Sequence, residues 1–269
     1  MIILIPMGGD GSRFLKEGYT KNKAEIPVID RHTGKSLPMI ICALNDVPWL
    51  QNKKNQLICV NKLEHQHSGL ESKIKKAFSQ ATFIHDHVQL DQAFGCFLAR
   101  EYLSSQDELF IGACDNGFEI DLKNFNDLKK NCDAIMLSHS NDSNIELNPE
   151  AHSWAILNRN KDSLKGLSFK KTISKNPMKD HATTGMFWFR NANSFLEKLE
   201  KMIWSGDSIN GKYYVDKILE YYIKEGLNVK YFDVKYICWG TPSDYENYQN
   251  SIFYWKNFLK ENKWMKRSL

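Results

Sequence analysis

The sequence predicts an α/β protein with a mostly parallel central sheet that becomes mixed in its second half. Two observations carry this. Up to about residue 140, apolar β-branched runs alternate with stretches of helical periodicity; from about residue 150, strands follow one another across short polar turns. The runs "MIILIP" (1–6), "QLICVN" (56–61), "ATFIH" (81–85), "ELFIGA" (108–113) and "DAIMLSH" (133–139) have the length and apolar character of strands buried on both faces. Between them, "LESKIKKAFS" (70–79) and "QAFGCFLAREYLSS" (92–105) space their apolar residues for helices. A strand that returns to its sheet through a helix lies parallel to its predecessor, so this half reads as βαβ units.

In the second half, "SWAILNRNKDSLKGLSFKK" reads as two strands joined by a glycine-containing turn, and "ATTGMFWFR" (182–190) as a further strand. Helices are expected over 192–205 and 213–226, the second closing at Gly226 as a glycine C-cap. "NVKYFDVKYICWGTP" then gives a late strand pair, and "PSDYENYQNSIFYWKNFLKENK" a final helix whose aromatics pack it onto the domain or form a dimer face. The 269 residues are expected to form one domain: about 1–140 and 141–245 as two halves, and 246–269 as the C-terminal helix.

Composition excludes several classes. No run of about 18 apolar residues could span a membrane, and the apolar start lacks the pattern of a signal peptide. A cytoplasmic enzyme is the expectation. The six cysteines are scattered singly without a CxxC pair, so buried thiols are expected. A net charge of +4 is too weak to argue for nucleic acid. Arg159, Lys161, Lys165, Lys170, Lys171, Lys175 and Lys179 nevertheless outnumber Asp162 and Asp180 in one stretch. That excess suits an anionic small molecule or a solvated basic surface.

The chemistry concentrates in "IPMGGDGSRFLKEGYTKNKAEIP" (5–27). A strand that ends in glycines and enters a helix offers free N–H groups where phosphate oxygens can sit, because glycine lets the backbone come close. The GxxxxGK[ST] and GxGxxG fingerprints are both absent. "GGDGS" resembles the GGDGT motif of NAD and lipid kinases, but only seven residues precede Gly8, whereas those enzymes carry a substantial α/β segment first.

A longer match favours another family. Gly8-Gly9-x-Gly11-Ser12-Arg13-Phe14, followed by Lys23-x-x-x-Pro27-Val28, resembles the G-G-x-G-[ST]-R-[LF]…K-x-x-x-P-V signature of the sugar-phosphate nucleotidyltransferases. The resemblance runs from Met1 to about Asp244. It implies the Rossmann-like fold of that family, the nucleotide-diphospho-sugar transferase type, with an NTP half and an acceptor half. It further implies that Gly8, Gly9, Gly11 and Ser12 cradle a triphosphate, that Arg13 steadies the leaving pyrophosphate and that Lys23 stabilises charge at the α-phosphate. Gln92 and Gly95, with Gln89 as a further candidate, correspond to the family's contacts to the base and its sugar. Asp115 corresponds to its first Mg²⁺ ligand. One carboxylate with phosphate oxygens and water is an ordinary way to hold that ion.

Two departures bear on substrate and metal. The family's W-x-D-x-G-T segment carries a second metal aspartate, and "ICWGTPSDY" has Cys238 in its place; Asp216 and Asp233 are the substitutes considered. Typical members carry Glu-Lys-Pro for the acceptor, where this chain has Lys170-Lys171-Thr172. Lys171 would keep the phosphate contact, and Lys170 would favour an acceptor with a further negative group. Gly185 in "TTGMF" matches the acceptor-side segment, and a strand bulge is its structural alternative.

The function expected is therefore a pyrophosphate-releasing nucleotidyltransferase that uses CTP, UTP or dTTP and a phosphorylated small molecule. Cytidylyltransferases of bacterial surface-polysaccharide and capsule pathways, including the phosphoglutamine-activating type, are similar in outline. A glycosyltransferase of the related fold would need Asp-x-Asp, where Asp115-Asn116-Gly117 lacks the second aspartate. A non-catalytic nucleotide-binding module is the third reading. His65-x-His67 and His85-x-His87 invite a metal reading but have no third ligand at convincing spacing.

Overall fold

The structure is a computed structural model that describes residues 1–9, 11–86 and 91–261. Its strands, in chain order, are β1 (Ile2–Pro6), β2 (Pro27–Ile29), β3 (Ser36–Pro38), β4 (Gln56–Lys62), β5 (Ala81–Asp86), β6 (Leu109–Ile111) and β7 (Asn116–Glu119). They continue with β8 (Ala134–His139), β9 (Ser153–Leu157), β10 (Leu164–Phe169), β11 (Ala182–Phe189), β12 (Val229–Asp233) and β13 (Lys235–Cys238). Strands β5, β4, β1 and β6 lie side by side and parallel. Strand β11 then runs antiparallel to both β6 and β8, and β12 closes that edge parallel to β8. The antiparallel β9–β10 hairpin joins at the start of β11, where Ala182 pairs with Trp154. The mostly parallel sheet therefore becomes mixed at β11.

The apolar runs are continuous because both sheet faces are covered. Along β1, Ile2 and Leu4 pack with Ala93, Cys96, Phe195 and Leu219 from the helices Gln92–Leu98, Ala192–Trp204 and Val215–Lys224. Ile3 and Ile5 point the other way, to Ile40, Leu70 and Phe125 from the helices Met39–Asn45, Leu70–Ala77 and Leu122–Lys129. Each such side chain, fully buried, contributes about 1.5–3 kcal/mol. A third, smaller core is formed by Phe14, Val28, Met39 and Trp239. It receives Tyr245 and Tyr248 from the final helix, Pro242–Glu261.

Several expectations change in detail. The two late strands do not pair with each other: β12 joins β8, whereas β13 pairs antiparallel with β7. The final helix packs through its tyrosines, but Phe253, Tyr254 and Trp255 remain exposed. Gly226 has the positive φ of 77° expected after the helix Val215–Lys224, and its N–H returns to the Ile223 carbonyl. All six cysteines are free thiols. No described helix is long and apolar enough to cross a membrane.

Candidate active site

The sheet reverses its winding between β1 and β6, since β4 flanks β1 on one side and β6 on the other. In open α/β sheets ligands settle at the carboxyl ends of strands at such a point. A cavity of about 470 Å³ opens there, walled by the chain leaving β1, the end of β5, the start of the helix Gln92–Leu98 and the segment after β6. Gly8, Gly9, Gly11, Ser12, Arg13, Lys23, Gln92, Gly95 and Asp115 all line it, although they span more than 100 positions of sequence.

Each glycine has its own geometry. Gly11 begins the short helix Ser12–Lys16 at φ +63°, and a Cβ there would also stand 3.2 Å from the Lys23 Cβ. A Cβ on Gly8 would stand 2.6 Å from Oδ2 of Asp86, whereas one on Gly9 would meet nothing within 4 Å. Gly95 lets its helix approach β1, since a Cβ would lie 3.0 Å from that of Pro6. Its packing reason is thus separate from any contact with a base. Asp10, Gln89 and His87 lie outside the described residues, as does the side chain of His65.

Lys23 and Asp115 form an ion pair at the cavity wall, with side-chain exposures of 21% and 25%. Burial pushes the Lys23 ammonium down, but the charge of Asp115, its hydrogen bond and the neighbouring Cys114 together outweigh this, so the pKa stands above the ordinary lysine value. Arg13 lines the same wall, and its charge acts on Lys23. It has no ion pair with a described residue. Gln92 donates from its side-chain amide to the carbonyl of Gly185 at 3.0 Å.

Gly185 sits in a bulge of β11, where the register shifts between Thr183 and Phe187, and has φ +78°. Thr184 there donates its hydroxyl to Leu137 O at 2.9 Å. The Lys170 ammonium bonds the Ala151 carbonyl and lies 5.5 Å from the centre of the Tyr214 ring. Its pKa is lowered by burial first; Asp216 opposes this, while Arg13 and Lys212 add to it. Lys170 and Lys171 are both exposed, and neither is part of the cavity wall.

Asp216 is buried at the first turn of the helix Val215–Lys224, with Oδ1 unpaired, Ser153 as a hydrogen-bond partner and Lys170 acting on it. Burial raises its pKa. It is not in the cavity wall, and no three metal-ligating side chains converge anywhere among the described residues. The structure thus does not bring Asp216 to Asp115. Asp233 is also occupied elsewhere, accepting from Ser138 and Ser140 and pairing with His181. Cys238 flanks Gly240 opposite Asp115 and donates its thiol to Asp244 at 3.4 Å. Asp244 in turn accepts from Thr241 Oγ1 at 2.6 Å, closing the start of the last helix. Of the histidine pairs, His85 bonds Glu71 at 2.7 Å.

The charged wall residues that sequence reasoning missed are Asp86, Asp91 and Lys212. Lys212 had a signal, because Asn210-Gly211 before it is the dipeptide of a tight two-residue turn. No protein-family model matches the sequence, and no curated protein does. Solved structures do match in fold. One from Bacillus anthracis, assigned as a glucose-1-phosphate thymidylyltransferase and solved with sucrose, is 18% identical, with a TM-score of 0.69 and 93% of each chain covered. The inositol-1-phosphate CTP transferase from T. maritima is 17% identical, with a TM-score of 0.62 and 90% of each chain covered. A UDP-glucose pyrophosphorylase complexed with UDP-glucose is 13% identical, with a TM-score of 0.68 over 94% of this chain and 98% of that one. Over nearly its whole length, this chain has the α/β fold of the sugar-phosphate nucleotidyltransferases.

Proposed function

We propose that the protein is a nucleotidyltransferase that joins the nucleoside monophosphate of a pyrimidine NTP to a phosphorylated small molecule and releases pyrophosphate. The observation that carries the reading is the ion pair of Lys23 with Asp115 in the glycine-lined cavity, beside an Arg13 that has no ion pair with a described residue. An oxygen of the acceptor phosphate attacks the α-phosphorus, and the bond from that phosphorus to the bridging oxygen of the β-phosphate breaks. Catalysis of such a step is mostly positioning and neutralisation of charge. The backbone of Gly8, Gly9, Gly11 and Ser12 cradles the triphosphate, Arg13 draws off charge from the leaving pyrophosphate, and Lys23 shifts from Asp115 to the α-phosphate.

The donor set fits Mg²⁺, because the partly exposed Asp115 carboxylate can serve as its single protein ligand. When bound there, the ion would neutralise phosphate charge. Gln92 and Gly95 remain the residues for base and sugar, and the thymidylyl, CTP and UDP names of the three structural relatives support a pyrimidine nucleotide. Lys170 supports an acceptor with a second anionic group, such as a phosphorylated amino-acid derivative, in a cytoplasmic pathway for surface polymers.

The glycosyltransferase alternative is disfavoured by packing. A second aspartate two residues after Asp115 would replace Gly117, whose Cβ would stand 2.2 Å from Oδ2 of Asp46. The test is pyrophosphate release from CTP, UTP and dTTP with a panel of phosphate esters. Turnover by the wild type and its loss in Lys23→Met support the reading; release of a nucleoside diphosphate from a nucleotide sugar would sink it.

A further inference from the structure

The side chain assigned by resemblance to hold the acceptor phosphate, Lys171, is exposed and outside the cavity wall, whereas Lys212 is in it. Lys212 is held there by construction. Ile209 and Lys212 exchange both backbone hydrogen bonds, at 2.8 and 3.0 Å, across Asn210 and Gly211 with φ of 51° and 75°. Two consecutive positive φ values make this a tight turn of the hairpin type. The next residue is pinned on both sides of its peptide: Tyr213 N–H donates to Asp91 Oδ2 at 3.0 Å, and Tyr213 O accepts from Ala93 N–H at 3.3 Å. The turn is therefore fastened to the helix start that walls the cavity.

The electrostatics call for an anion. Arg13 and Lys212 have no ion pair with a described residue, and both act repulsively on Lys170. Asp216 acts attractively on Lys170. Lys23 is matched by Asp115. The cavity wall also carries Asp86, Asp91 and Asp115, but Asp115 is paired with Lys23 and Asp91 accepts from Tyr213 N–H, so neither matches the charge of Lys212, which a ligand bringing negative charge would stabilise. Lys212 lines the same wall as the glycines, Arg13 and Lys23, while Lys170, exposed and outside that wall, is near enough to Arg13 and Lys212 to feel their charges.

We propose that Lys212 binds the reacting phosphate of the acceptor, while Lys170 binds a second, non-reacting anionic group on it. This rests on the nucleotidyltransferase reading and deepens it, making Lys212 a specificity residue for phosphate esters and Lys170 one for acidic phosphate esters.

Calorimetric titration tests it with three probes: CTP, glucose 1-phosphate, which has one anionic group, and 3-phosphoglycerate, which has a phosphate and a carboxylate. Lys212→Met is expected to weaken both esters by about 10- to 100-fold, as loss of one charge-assisted contact does, and to leave CTP within threefold. Lys212→Arg should recover most of the loss. Lys170→Met should weaken 3-phosphoglycerate alone. A change in CTP affinity in Lys212→Met would place Lys212 with the triphosphate and overturn the proposal, as would loss of ester binding in Lys171→Met with Lys212→Met unaffected. If the wild type binds CTP but neither ester, the proposal falls and the nucleotide site stands. If it binds no CTP, UTP or dTTP, the nucleotidyltransferase reading falls and takes the proposal with it.

Discussion

Replacing Lys23 by methionine removes one charge and keeps most of the side-chain volume, so its effects can be followed separately in stability and in rate. At contact, taking roughly 3 Å and an effective dielectric of about 20, opposite unit charges attract by about 5 kcal/mol. Desolvation returns most of that, and with both groups about one-fifth to one-quarter exposed the net loss is about 1–2 kcal/mol. For a chain of this size that is a fall in Tm of about 2–5 °C. Mg²⁺ should return part of it, because the variant leaves Asp115 without its cation. The linkage has a definite sign. The folded-state pKa of Lys23 is raised, so its stabilisation is fully present below the ordinary lysine value of about 10.4 and is lost as pH rises through the folded value. Wild type and variant should therefore converge only in alkali. The rate should fall about 100- to 1,000-fold, or about 3–4 kcal/mol, as it does when one donor aimed at a charged transition state is removed. Thermal melts across pH, with and without Mg²⁺, and pyrophosphate release at saturating substrates measure both. A folded variant within threefold of the wild-type rate would refute the role given to Lys23.

Gly11→Ala should cost about 1–2 kcal/mol from its positive φ and weaken CTP binding, since the new methyl also crowds Lys23; denaturant melts and calorimetry read the two effects. Cys238→Asp adds a carboxylate beside Asp115 and Asp244. Its Tm should drop without divalent cations and recover with Mg²⁺ more than the wild type gains, and equal responses would show that the position does not reach a metal. For Asp233, burial raises the pKa, but hydrogen bonds from His181 and Ser138 outweigh it and the carboxyl titrates below its usual range. Its contribution is present above the unfolded value of about 3.9 and fades as pH falls through the folded one. Asp233→Asn should therefore lower the urea midpoint at pH 7 and much less at pH 3.

The fold was legible where burial is two-sided. "MIILIP" and "QLICVN" alternate between two helical layers, and nothing but a central strand explains five successive apolar residues between polar turns. Pairing was less legible, because β12 and β13 adjoin in sequence yet the partners that complete them, β8 and β7, lie about 100 residues upstream. Among the candidate site residues, Arg13, Lys23 and Asp115, singled out by the motif they share with a known family, all come to the wall of one cavity. Asn210-Gly211 marks the turn before Lys212, but what carries that turn to the cavity is its fastening to Asp91, a contact across 122 positions that no local pattern records. Lys170 and Lys171 adjoin in sequence but part in structure: with Lys170 at φ +56°, its ammonium lies over the Tyr214 ring, and neither side chain lines the cavity.

Strand β11 has a consequence for how substrates should be felt by the whole molecule. It bonds to β6 on one side and to β8 on the other, so the hydrogen-bonded ladder runs without a seam from the glycine loop to the far edge. Melting either half exposes a long strand edge on the other, which ties the two into one cooperative unit. Any ligand that binds the glycine-lined cavity at 100 times its dissociation constant then lends about 2.7 kcal/mol to the entire transition, so the strands beyond β11 melt later as well.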